Sequence, residues 1–138
     1  MKKLLLAASA CALMAGAASA EDVKIGILIG FTGPIESLTG HMANAAEAAM
    51  AEVNASGKAK NNYIPVRGDD TCTDAAAATA ATDRAVTAEG VKGIIGGDCS
   101  GVTRAMLTNV AMPNGIVMVS PSATSPALTA DPDNGLFF

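Results

Sequence analysis

The chain has no tryptophan, one tyrosine and three phenylalanines among its 138 residues. Its core therefore cannot rest on large aromatic anchors, which dominate burial in most cores. Alanine, glycine and aliphatic residues must fill it, so helices have to approach a sheet closely. There is one histidine, His41, which excludes clusters of imidazole ligands. His41 falls at a predicted helix start, where an exposed or capping role outweighs a catalytic one. No G-x-S-x-G elbow or H-E-x-x-H pair occurs, and the glycine-rich stretch Gly93 to Gly101 lacks the lysine a phosphate loop needs. No catalytic residue, metal site or cofactor is expected. The basic face that nucleic acid or anionic membranes require is also missing from this net-negative chain.

What is present begins at the N-terminus. Lys2 and Lys3 precede a nearly unbroken apolar run, Leu4 to Ala18, and Ala18-Ser19-Ala20 stands before the acidic pair Glu21-Asp22. That order matches a cleaved secretory signal over residues 1–20. The run is short and alanine-rich for a membrane span, which needs about 20 apolar residues. An uncleaved anchor or exposed amphipathic helix is the alternative. A lipoprotein signal through Cys11 is rejected, because Ala8-Ser9-Ala10 lacks the large aliphatic residue and the apolar run continues past it. Losing the two positive charges Lys2 and Lys3 takes the net charge from −4 to −6. Losing Cys11 leaves Cys72 and Cys99, which in an oxidising compartment read as one disulfide. Closing that loop is worth roughly 3–4 kcal/mol in the chain-entropy model. Two separate buried thiols are the alternative.

Residues 21–138 suffice for one core. The chain stops at Leu136-Phe137-Phe138, which is apolar where termini are usually polar. A piece of a longer protein is therefore expected.

Val23 to Gly30 reads as a buried strand, Phe31 to Gly40 as a loop, and His41 to Ala55 as a helix. The expected buried face of that helix is Met42, Ala46, Ala49, Met50 and Val53. Ile64 to Asp70 is a strand that Pro65 assigns to an edge or a strand start. A helix runs from about Thr73 to Glu89, capped by Thr73 or Asp74. Gly93 to Gly96 is a third strand, Ser100 opens a third helix ended by Pro113, and Ile116 to Val119 is a fourth strand. Ser120 to Asn134 is a loop with room for one helical turn, and Leu136 begins something new. Strands alternating with helices imply a parallel sheet and the α/β class.

In such a sheet, ligands bind beyond the carboxyl ends of the strands. The loops there are Phe31-Thr32-Gly33-Pro34, Asp70-Thr71-Cys72, Gly97-Asp98-Cys99-Ser100 and Ser120-Pro121-Ser122-Ala123-Thr124. Ser100 follows a glycine-bearing loop at a helix start, a setting that favours a carboxylate. Capping its own helix is the equal alternative. Ser122 and Thr124 add hydroxyls, a weak signal alone. Asp69-Asp70 is read as solvated or hydrogen-bonded sooner than as a cation site, and Asp98 as making a structural hydrogen bond.

Four stretches in this order resemble one family: Ile25 to Pro34, Asp69-Asp70-Thr71-Cys72, Cys99-Ser100, and Ser120 to Pro126. They are similar to the substrate-binding proteins of branched-chain amino-acid and amide ABC transporters, the type I periplasmic binding proteins. The resemblance covers residues 21–138. It implies a doubly wound, Rossmann-like lobe, here part of an N-terminal lobe, with a second lobe and a hinge missing. It also implies that Ser100 bonds a ligand carboxylate through its hydroxyl. Ser122 and Ala123 would add backbone contacts, and Thr124 backbone and hydroxyl. Cys72–Cys99 matches the family's disulfide. Leu38 stands where members selecting aliphatic amino acids carry an aromatic residue, so amides, other amino acids or aromatic acids are open as ligands. The implied role is capture in the periplasm for a membrane permease, without catalysis. A sensor module of the same fold and an exported α/β enzyme are the alternatives. The 138-residue piece alone is expected to bind poorly.

Overall fold

The computed structural model describes residues 20–138. Residues 1–19, which hold most of the expected signal and Cys11, lie outside the described residues. The element order is β1 (Asp22–Ile29), α1 (Glu36–Ala55), β2 (Asn62–Asp69), α2 (Ala75–Thr87), β3 (Gly93–Gly96), α3 (Ser100–Met106), β4 (Val117–Val119) and α4 (Ala127–Ala130). Between α3 and β4 the helix widens into a π-turn over Leu107–Ala111.

The four strands form one parallel sheet in the order β2-β1-β3-β4. β1 lies inside it and is covered on both faces, which explains its unbroken apolar run. Ile27 and Ile29 meet Ala43 and Met50 of α1 on one face. Leu28 joins Ile94, Met118, Ala78, Ala85, Val102 and Met106 beneath α2 and α3 on the other. Small alanines at these contacts let the helices lie close. β2 is an edge strand, as Pro65 implies. Leu136 to Phe138 runs parallel to β4: Met118 N–H donates to the Leu136 carbonyl, and Phe138 N–H to the Met118 carbonyl.

Three expectations about the helices need correction. α1 begins at Glu36, five residues before His41, so part of the expected loop is helix and His41 is exposed within it. The cause is tertiary: Thr39 is buried, and its hydroxyl donates to the Gly30 carbonyl at 2.8 Å. The buried face is also shifted. Thr39, Ala43 and Met50 are buried, Met42 and Ala46 pack beside them, and Ala49 and Val53 face solvent. α2 is shorter than expected, and of the two expected caps it is Asp74 that makes the bonds. Among the described residues no helix is long and apolar enough to cross a membrane.

Candidate functional site

The four loops beyond the strand ends meet, and hydrogen bonds tie each to the next. At the end of β1, Gly30 N–H donates to Asp98 Oδ2 at 2.8 Å. At the end of β2 the chain turns sharply, with Thr71 and Cys72 at φ 59° and 64°. Left-handed backbone is costly for such residues. The turn is held because Thr71 N–H donates to Asp69 Oδ1 (2.9 Å) and Cys72 N–H to Asp70 Oδ1 (2.8 Å). Asp69 also accepts the Thr32 hydroxyl at 2.6 Å. Burial alone would raise its pKa, but that hydrogen bond and N–H groups of Thr71, Thr32 and Phe31 outweigh burial and lower it. Asp69 and Asp70 thus point apart, in keeping with the hydrogen-bonded reading.

Cys72 and Cys99 form a disulfide with Cα atoms 5.1 Å apart, which fastens the loop after β2 to the loop after β3. From β4, the Ser120 hydroxyl donates to the Gly97 carbonyl at 2.6 Å, and the Ser122 hydroxyl to the Asp98 carbonyl at 2.9 Å.

Ser100 lies where these ties converge. It does not cap its own helix: Cys99 is the N-cap residue and no side chain caps α3. Ser100 Oγ instead accepts the N–H groups of Thr124 and Ser125, each at 3.1 Å. With both acceptor positions taken, the hydroxyl hydrogen points to other partners, and a hydroxyl has one donor. Ser122 N–H and Ala123 N–H both reach Ser120 Oγ, so these expected backbone donors turn inward. Among the described residues the Ala123 carbonyl and the Thr124 hydroxyl have no intramolecular hydrogen-bond partner. A donor from Ser100 beside acceptors from Ala123 and Thr124 suits a carboxylate and a cationic or amide N–H group on one small molecule. An open depression of about 380 Å³ adjoins them, lined by Ala123, Thr124, Ser125, Phe137 and Phe138 among others.

Leu38 is apolar and takes no part in these hydrogen bonds. It is on the first turn of α1, not in a loop, and is 60% exposed. The sequence reading missed Ser120, whose hydroxyl organises the fourth loop, and the burial of Asp70 and Asp98. A signal for the latter existed: each Asp closes a strand end and stands one or two residues before a bridged cysteine.

An open parallel sheet with polar groups gathered beyond the strand ends has the layout in which α/β lobes bind ligands. The chain belongs to the periplasmic binding protein family, whose model matches residues 22–138. It is 35% identical over 129 residues to the Leu/Ile/Val-binding protein of Escherichia coli K12, covering 93% of this chain and 34% of that protein. Among solved structures it resembles the branched-chain amino acid transporter substrate binding protein LivJ from Streptococcus pneumoniae, in complex with isoleucine. There the TM-score is 0.75 and the identity 28%, over 86% of this chain and 33% of that one. A solute binding protein from R. palustris in complex with benzoate matches with a TM-score of 0.61 and 26% identity, over 74% of this chain and 28% of that one. The chain spans about a third of the length of the relatives it matches.

Proposed function

We propose that this chain forms one wall of the cleft of an exported solute-binding protein, which captures a small carboxylate for an ABC importer. The ligand is an amino acid or a related carboxylate or amide. The Ser100 hydroxyl donates to the carboxylate, the Ala123 carbonyl and Thr124 hydroxyl accept from the rest of the ligand head, and Ser122 braces the loop. A second lobe closes over the solute, and the closed form docks on an inner-membrane permease. Residues 1–20 direct export and are removed, so the protein works in the periplasm. It binds its ligand without turning it over.

The observation that carries this reading is the pair of 3.1 Å bonds into Ser100 Oγ, which fix the hydroxyl and free its hydrogen. The bound ligands named for the relatives, isoleucine and benzoate, share a carboxylate. Ser100→Ala in the two-lobed protein should weaken carboxylate binding by about 1–3 kcal/mol, the cost of leaving a charged acceptor unpaired. Titration calorimetry against isoleucine, benzoate and their amides tests it. Equal affinity in variant and parent would remove Ser100 from the site. Conversion of a bound solute to product would refute capture without chemistry.

A further inference from the structure

We propose that Asp70 and Asp98 share one buried proton, and that this proton positions the Gly97–Ser100 loop, so that losing it loosens the ligand loops. The loop's part in binding rests on the function proposed above; the proton does not. Asp70 is fully buried and Asp98 is 4% exposed. They lie just after β2 and β3, and Asp98 N–H donates to Asp70 Oδ2 at 3.3 Å. That contact sets the two carboxyl groups side by side, close enough to act on each other by charge and as hydrogen-bond partners. Ionised carboxylates only accept, so a bond between two of them requires a proton.

The other partners locate that proton. Asp70 Oδ1 takes Cys72 N–H, Asp70 Oδ2 takes Asp98 N–H, and Asp98 Oδ2 takes Gly30 N–H. Asp98 Oδ1 is buried and no N–H or O–H reaches it. The shared proton therefore lies on the side of that oxygen, where it displaces no existing bond.

Among the described residues no cationic side chain offsets a second negative charge there. Burial is the largest influence on Asp70 and raises its pKa; the Cys72 N–H, next in size, lowers it, and the Asp98 charge raises it again, leaving it at about 7. The groups crowded against Asp70 are uncharged: Gly30 just after β1 and Gly97 just after β3, with Thr103 and Met106 of α3 packed beside Gly97. Cys72 is spent in the disulfide, and Asp69 turns out to Thr32. Among the described residues no lysine, arginine or histidine acts on Asp70. Two like charges in such a site cannot both ionise, and the pair titrates as a unit. There is also no slack for them to separate, since a Cβ on Gly97 would lie 2.8 Å from Asp70 Oδ2. Repulsion must therefore move the loop itself, whose Gly97 and Asp98 carbonyls receive Ser120 and Ser122.

The test uses the full-length protein, with ¹³C-carboxyl aspartate NMR and amide-exchange protection factors at Gly30, Asp98, Thr124 and Ser125. Between about pH 6 and about pH 8.5 we expect protection to fall roughly tenfold as one carboxyl signal titrates. Asp98→Asn keeps an oxygen for Gly30 N–H and offers an amide N–H in place of the proton, so its protection should stay high and flat with pH. Asp98→Ala should be loose at both. Both carboxyls ionised at about pH 5, or loop protection in the parent that ignores pH, overturns the proposal. Isoleucine is the ligand probe. A titrating pair with pH-sensitive protection but no isoleucine affinity would uphold the shared proton and count against isoleucine as ligand.

Discussion

Asp69 and Asp70 are neighbours with the same side chain and opposite fates. Asp69 turns to the Thr32 hydroxyl and its pKa is lowered; Asp70 is sealed beside Asp98 and its pKa is raised to about 7. The signs of their contributions to stability differ accordingly. Asp69 stabilises the fold above the ordinary carboxylate range, and that contribution is lost as pH falls through its lowered value. Asp70 keeps a proton that the unfolded chain releases. Its contribution is complete below the ordinary value and is lost as pH rises toward about 7. Urea midpoints should therefore fall between about pH 4 and about pH 7, and Asp98→Asn should flatten that decline. A parent midpoint unchanged over this range would contradict the assignment. None of this divergence is legible in the dipeptide, because it arises from what each carboxyl meets across the sheet.

The secondary elements were legible in proportion to their local signals. β1 and β3 stood out because short apolar runs flanked by glycine have few other readings. α2 was legible through its alanines, and Asp74 caps it by accepting the N–H groups of Ala76 and Ala77. Asp74→Ala should cost about 1 kcal/mol in urea denaturation, while Thr73→Ala should cost little, since Thr73 does not cap. The start of α1 was not legible, because Ile35 caps it without a side-chain bond and Thr39 is fixed by Gly30 from the preceding strand. The π-turn after α3 likewise has no signature in Leu107 to Ala111.

At the scale of the molecule, the disulfide and the sheet act together. Cys72 and Cys99 are 27 residues apart and join the loops of β2 and β3, which are separated in the sheet by β1. Replacing both by serine should cost roughly 2–5 kcal/mol of stability. The loss should appear as faster amide exchange at Ser100 and Thr124 ahead of the core strands. Uniform loss across the sheet would show instead that the bridge serves global folding and not this site. The sheet is also unevenly covered. Met118 is buried under α3, while Val117 and Val119 on the opposite face are 43% and 44% exposed, since α1 packs over β1 and β2.

The sequence by itself determined the alternation of strand and helix, the parallel sheet, the cysteine pair and the gathering of polar loops at one end. Those follow from local periodicity, from the need of crossovers between parallel strands, and from residue counts. Tertiary structure alone decided where Ser100 directs its hydroxyl and that Asp70 meets Asp98. Each depends on the strand order β2-β1-β3-β4, which brings together groups some 24 to 28 residues apart. At that range, burial and hydrogen-bond geometry set the chemistry of a side chain, and its neighbours in sequence do not carry them.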